Sequence, residues 1–308
     1  MWEAKQDLGY TRYSLHHAKR IDDGPVIGET RWLLYVNRRR WVTFMCTPLN
    51  IHHLALGFLL AEGVIHSLED VLQLKVYEAP NQVYWLVPAL GLQRTLTMRG
   101  CEEAVGVIDA RVAGNPVPDY SARVLTSGCS GGVTFDDLSS EHPPLDLPAT
   151  PVVSPRQILD LIRELSRRAV LYRECRGVHT SALSDGQRLL IVAEDVGRHN
   201  TLDKIRGQCL LEKVPTEGRI LLTTGRISSE MLTKARGMGV PIVISRTSPT
   251  ALAVELAKVW GITVVGYARG NQMNVYTGEE RVQPEMPMPS DRRLSRVEMS
   301  DQAPEMEI

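Results

Sequence analysis

Four apolar runs in the second half of the chain, each followed by a polar turn, constrain the fold more than any other feature. Leu189 to Glu194, Arg219 to Thr223, Val240 to Ile244 and Ile262 to Tyr267 are short and rich in branched residues, as buried strands are. The first three lead into helical stretches that end near Leu211, Arg236 and Trp260. The fourth leads through Ala268-Arg269-Gly270-Asn271-Gln272 into a last strand ending at Tyr276. Strand alternating with helix implies crossover connections, a largely parallel sheet and helices on its faces. The expectation is an α/β domain over residues 150–277. A helix from Arg156 to Leu171 opens it, with Ser154 as N-cap and Pro155 at its first position.

The first 140 residues lack that rhythm and read as a smaller α+β part. Arg31 to Val36 and Trp41 to Met45 flank the turn Asn37-Arg38-Arg39-Arg40 and form a hairpin pattern. A helix follows from an Asn50 cap to about Ile65, with Gly57 in its interior. A mid-helix glycine costs about 1 kcal/mol against alanine, so close packing is expected there. His52 and His53 do not share a helix face and read as surface or first-turn residues. Three short strands are expected at 71–77, 82–87 and 92–98. Residues 1–30 read as polar and irregular, Glu141 to Pro155 as a linker, and 278–308 as a disordered tail.

With 308 residues, the chain can build one large or two modest cores. A net charge of −1 argues against nucleic acid or a membrane surface as a partner of the whole chain. Met1 to Arg20 has no apolar segment of the signal-peptide kind, and no apolar run is long enough to span a bilayer. Cys46, Cys101, Cys129, Cys175 and Cys209 are spaced too widely for a disulfide framework or a metal site, which fits a reducing cytoplasm.

Two places carry candidate chemistry. Thr126-Ser127-Gly128-Cys129-Ser130-Gly131-Gly132 sets one thiol among small residues in a loop pattern, where large partners can reach it. The second is the set of turns after the strands. Arg198, Arg226, Arg246 and Arg269 each follow a different strand, beside hydroxyl and amide groups and, at three of them, a helix N-terminus. Ligands of open α/β sheets bind beyond the carboxyl ends of the strands, and arginine pairs with phosphate oxygens in bidentate fashion. The turns therefore suit a ligand with several phosphates, although each turn taken alone is also an ordinary strand-to-helix connection. His179 and His199 lie nearby as ligand-contacting or proton-handling groups. Glu194 and Asp195, beside Arg198 and Lys204, read as internal salt bridges. No G-x-G-x-x-G or P-loop is present, which disfavours a dehydrogenase or an ATPase.

Several of these segments resemble the FdhD/NarQ family of formate dehydrogenase accessory sulfurtransferases. They are Gly177-Val178-His179-Thr180-Ser181-Ala182-Leu183, the run from Ala193 to Lys204, Thr223 to Glu230, Ser248 to Ala253 and Gly266-Tyr267-Ala268-Arg269. The helix Ala55 to Gly63 and the Cys129 loop match as well, so the resemblance covers about residues 28–277. It implies a layered αβα sheet similar to cytidine deaminases, and a homodimer. It also implies sulfur transfer, in which a cysteine desulfurase loads sulfur on Cys129 as a persulfide. That sulfur then passes to the bis-molybdopterin guanine dinucleotide cofactor needed by the formate dehydrogenase apoenzyme. The resemblance associates cofactor contacts with Tyr267, Ala268, Arg269, Gly270, Asn271 and Gln272. Many members carry Cys-x-x-Cys in the loop, whereas this chain has Gly132 at the second position, so a disulfide within the loop cannot form. A non-catalytic cofactor chaperone, with Cys129 incidental, is the alternative. A zinc deaminase would need His-x-Glu and Pro-Cys-x-x-Cys; here His179-Thr180-Ser181 stands in the first place and the second motif is missing, so no zinc is expected.

Overall fold

The computed structural model describes residues 3–78, 82–87, 91–96, 106–116, 124–125, 133–134 and 151–284. Strands β1 (Lys5–Tyr13) and β2 (Ala18–Ile27) pair as an antiparallel hairpin. Then come β3 (Thr30–Val36), β4 (Arg39–Cys46) and helix α1 (Ile51–Ala61). Strands β5 (Val71–Glu78), β6 (Gln82–Val87), β7 (Gly91–Leu96) and β8 (Gly106–Val112) follow. The short strands β9 (Val124–Leu125) and β10 (Val133–Thr134) pair with each other on either side of the Cys129 loop. Cys129 itself lies outside the described residues, as do most of the expected linker and residues 285–308.

The second half contains α2 (Pro155–Arg168), α3 (Val170–Cys175), β11 (His179–Ser184), β12 (Leu189–Asp195) and α4 (Arg198–Glu212). It continues with β13 (Ile220–Thr223), α5 (Ser229–Gly237), β14 (Ile242–Ser245), α6 (Ala251–Trp260), β15 (Thr263–Arg269) and β16 (Gln272–Thr277).

The first sheet has the order β4-β3-β8-β5-β6-β7. Its inward residues Trp32, Leu34, Phe44, Leu74 and Ile108 pack on Leu54, Leu56, Phe58 and Leu59 of α1. Strand β8, unmarked in the sequence reading, fills the middle, parallel to β3 and antiparallel to β5. Helix α1 ends at Ala61, earlier than expected, and Asn50 takes a left-handed conformation (φ 53°) rather than capping with its side chain. The residues expected to be irregular contain β1 and β2. Their side chains are almost all exposed, so they show none of the alternation that marks a half-buried strand.

The second sheet has the order β12-β11-β13-β14-β15-β16. It is mixed rather than largely parallel: β13, β14 and β15 run parallel, while β11 is antiparallel to both its neighbours and β16 is antiparallel to β15. The extra strand β11 reads polar because Thr180, Ser181 and Ser184 are fully buried in it. Their hydroxyls are satisfied internally; Ser181 Oγ lies 2.7 Å from Thr201 Oγ1 and 2.9 Å from Thr223 Oγ1. Helix α2 covers one face through Ile158, Leu161, Ile162 and Leu165. Helices α4, α5 and α6 cover the other through Leu202, Ile205, Met231, Leu232, Leu256 and Trp260. The expected single helix to Leu171 is interrupted at Ala169, and α3 starts anew at Val170. Past β16 the chain does not leave the fold at once. Residues Glu279–Arg281 form a 3-10 turn and Gln283 N donates to Val153 O at 3.0 Å, so the first residues of the stretch expected to be disordered belong to the fold.

The halves meet where α1 lies on α4. A Cβ on Gly57 would overlap the Asp203 carbonyl, and one on Gly207 would overlap the His53 carbonyl. Two glycines thus let the helix backbones touch, which is the close packing expected at Gly57.

Candidate functional site at the carboxyl edge of the second sheet

Strands β12, β13, β14 and β15 all point the same way, since β11 lies antiparallel between β12 and β13. Their carboxyl ends share one edge with the first residues of β11 and β16. The topology therefore gathers His179, Arg198, Arg226, Arg246 and the segment Tyr267 to Gln272 on a single ledge. The turns there are laced together. Thr224 N donates to Thr180 O, Arg246 N to Thr223 O, Ile227 N to Ser248 O and Tyr267 N to Thr247 O. Ser245 Oγ adds a 2.7 Å bond to Gly225 O. A ledge built this way holds its arginines without a long flexible loop.

The turn after β12 is fastened from below. Asp195 is fully buried; its Oδ2 accepts from Lys204 Nζ at 2.6 Å and from Thr47 N at 3.1 Å. Its Oδ1 accepts from Gly197 N and Asn200 Nδ2, each at 2.8 Å. Asn200 Nδ2 also donates to Met45 O at 2.9 Å, so the junction of β4 and α1 is tied to the start of α4. Glu194 acts differently from the expected salt bridge: its carboxylate accepts from Leu171 N and Tyr172 N at the start of α3 and from Thr180 Oγ1. Both acids serve architecture, not proton transfer.

Three helices begin at the ledge, but they do not offer equal numbers of free N–H groups. Ser228 Oγ caps α5 by accepting from Met231 N, and Thr250 Oγ1 caps α6 by accepting from Ala253 N. Helix α4 starts at Gly197 with no side-chain cap and carries Arg198 at its first position. Arg198 is only 6% exposed, and its Nε has no hydrogen-bond partner among the described residues. Gly225 lets it approach: a Cβ there would lie 3.0 Å from Arg198 Cβ and 3.3 Å from His179 Nδ1. Burial, and next the Arg198 charge, hold the His179 imidazole below its usual pKa, so it is neutral at pH 7 and can accept or donate a hydrogen bond without adding charge. Exposed Arg226 stands close enough to contribute to the same depression.

His199 turns away from this group. It packs against α5, with Nε2 3.3 Å from Glu230 Oε2 and 3.5 Å from Ser228 Oγ. Burial above all, then Arg198 and Lys234, push its pKa down to about 2, so it is a neutral structural imidazole here. His52 and His53 are half-buried in the first turn of α1 rather than on the surface, and burial lowers both, to about 4 and about 3.

The remaining expected residues form a second group toward α2. Arg246, Arg269 and Gly270 line an open cleft of about 500 Å³ together with Asp160, Arg163, Ser166 and Arg167. Tyr267 is a third exposed and adopts a left-handed φ of 54° at an irregularity in the β15–β16 pairing. A bulky residue there is strained, and such strain gathers at binding sites. The Arg269 guanidinium lies 5.6 Å above the Tyr267 ring. Ala268 is fully buried against α2, backbone included, so it takes part in the core and not in the exposed face of the segment. Asn271 accepts from Arg163 Nη2 at 3.3 Å, and Gln272 is exposed beside Arg269 at the start of β16. Arg163 and Arg167 were not singled out from sequence. Their spacing of one helical turn was the available signal, because residues four apart share a helix face.

Among the described residues, no group of three His, Cys, Asp or Glu side chains is placed to hold a metal ion. No helix among them is long and apolar enough to cross a membrane.

The chain is similar to known proteins. The sulfur carrier protein FdhD of Bacillus licheniformis is 34% identical over 252 residues, covering 80% of this chain and 86% of that protein. The protein of the same name from Bacillus subtilis is 32% identical over 271 residues, covering 88% and 95%. A solved structure from Desulfotalea psychrophila, described as a formate dehydrogenase accessory protein, superposes with a TM-score of 0.65. It is 25% identical, and the match covers 91% of this chain and 100% of that one. The model of the FdhD/NarQ family matches residues 27–283, and this chain belongs to that family.

Proposed function

We propose that this protein carries sulfur from a cysteine desulfurase, as a persulfide on Cys129, to the bis-molybdopterin guanine dinucleotide cofactor destined for formate dehydrogenase. The observation that carries the acceptor half of this reading is the ledge itself. It brings a buried arginine with an unpartnered Nε, further arginines from three other strand ends and an uncapped helix N-terminus to one edge. A ligand with two pyrophosphates matches that chemistry. The relatives named as sulfur carrier proteins support the sulfur half.

Sulfur moves in two balanced steps. The Cys129 thiolate attacks the outer sulfur of the desulfurase persulfide; a new S–S bond forms, the old one breaks, and the desulfurase thiolate leaves. Delivering that sulfur as sulfide then reduces the S–S bond by two electrons. Gly132 offers no thiol, so a pair of external thiols supplies the electrons and leaves as a disulfide. On this reading the protein works in the cytoplasm as a homodimer, and its second half is a mixed-sheet variant of the layered cytidine deaminase-like fold.

The missing second cysteine favours one other reading, a cofactor chaperone in which Cys129 is incidental. Intact-protein mass spectrometry after incubation with a cysteine desulfurase and cysteine separates the two. The relay predicts one added sulfur atom on the parent and none on Cys129→Ala, with formate dehydrogenase activation lost in that variant. An unmodified parent, or full activation by C129A, sinks the relay and leaves the chaperone.

A further inference from the structure

We propose that helix α2 supplies half of a diphosphate site: Arg163 and Arg167, one turn apart, face Arg246 and Arg269 across the cleft and grip a diphosphate group between them. Four guanidiniums line this cleft against a single carboxylate, Asp160, in a chain whose net charge is −1. That carboxylate is already engaged by Arg163 and lies 4.0 Å from Arg156 Nε, so it does not neutralise the other three. Among the described residues, Arg167 has no carboxylate partner, and the Arg246 side chain makes one 3.4 Å bond, to Ser166 Oγ on α2. Like charges gathered in one cleft repel unless an anion joins them.

The arginines are also preorganised. Arg163 is braced by Asp160 and Asn271, and Arg269 rests on the strained Tyr267. A cleft of about 500 Å³ is roomy for one phosphate, whereas two linked phosphates let each pair of guanidiniums take its own bidentate partner. The inference deepens the reading of the ledge as a phosphate site. It does not depend on sulfur chemistry, so it can stand or fall apart from the relay.

The test is calorimetric titration of the full chain with inorganic pyrophosphate and, separately, orthophosphate at physiological salt. Pyrophosphate should bind at least about tenfold more tightly than orthophosphate, and Arg163→Ala/Arg167→Ala should weaken it by about tenfold for each arginine lost. Asn271→Asp, an exposed turn substitution that places a carboxylate against Arg163, should weaken it too. Arg173→Ala, which removes an exposed arginine of α3 outside the cleft, should bind like the parent. The site is overturned if pyrophosphate does not bind, if orthophosphate binds equally well, or if R173A weakens binding as much as the double variant. Unchanged binding in both N271D and a folded double variant would overturn it as well.

Discussion

At the scale of the residue, Asp195 shows how a motif can look catalytic and be structural. Its carboxylate meets four partners, and both it and Lys204 are out of water. Removing one charge from a buried pair strands the other, which typically costs about 3–5 kcal/mol. Asp195→Asn should therefore lower the urea midpoint sharply. Adding Lys204→Met to that variant should recover much of the loss, because it removes the stranded ammonium. A D195N protein as stable as the parent would mean that the pair is worth little. Arg198 is the counter-example three residues on: it is nearly as buried, yet among the described residues its Nε has no partner at the mouth of a helix. Both residues stand in the same run of sequence. Only the folded partners tell the satisfied charge from the one with bonding capacity to spare.

At the scale of the element, what the sequence displayed was periodicity, and what it hid was burial of polar strands. The strands before α4, α5 and α6 stood out because branched apolar residues fill them, and Ser154 with Pro155 marked the start of α2, where the structure adds a Ser154–Gln157 capping box. Strand β11 was obscured by its hydroxyls, whose partners come from α4, β12, β13 and the turn before β12. Strand β8 was legible in the alternation of Ile108, Ala110 and Val112 with Asp109 and Arg111, and in the fold a Cβ on Gly106 would strike the Trp32 ring. The arginine ledge could be anticipated one strand end at a time, but α2's share of it needed the three-dimensional neighbour. Gly57 makes the best test of reading an element from sequence. On helix propensity alone, Gly57→Ala should stabilise by about 1 kcal/mol. The contact with α4 reverses the sign: the added methyl meets backbone that cannot swing aside, and overpacking of this kind costs about 3 kcal/mol. Thermal or urea denaturation reads the sign directly. A gain in stability would show that α1 and α4 can part at no cost.

At the scale of the whole molecule, the same contact decides whether the two sheets unfold together. Each has its own apolar core, one around Trp32 and Trp41, the other around Trp260. Separate cores alone would permit separate transitions. The seam opposes this in two ways. Helix α1 is part of the first core and lies with its backbone on α4, which belongs to the second. Beside it, Lys204 donates to the Thr47 carbonyl at 3.1 Å and Asp195 accepts from the Thr47 amide, so opening the seam exposes a buried ion pair. Losing the first half would leave α4 with its glycine-lined groove uncovered and Lys204 and Asp195 each short of a partner. The second half would then be destabilised at once, which is the condition for a single cooperative transition. Fluorescence of variants that retain either Trp32 or Trp260 as the only tryptophan should therefore give urea midpoints that coincide once each is referenced to its own circular dichroism transition. Two separated midpoints, with the Trp32 signal lost first, would show that the seam is too weak to couple the halves, and that the sheet bearing the arginine ledge stands by itself.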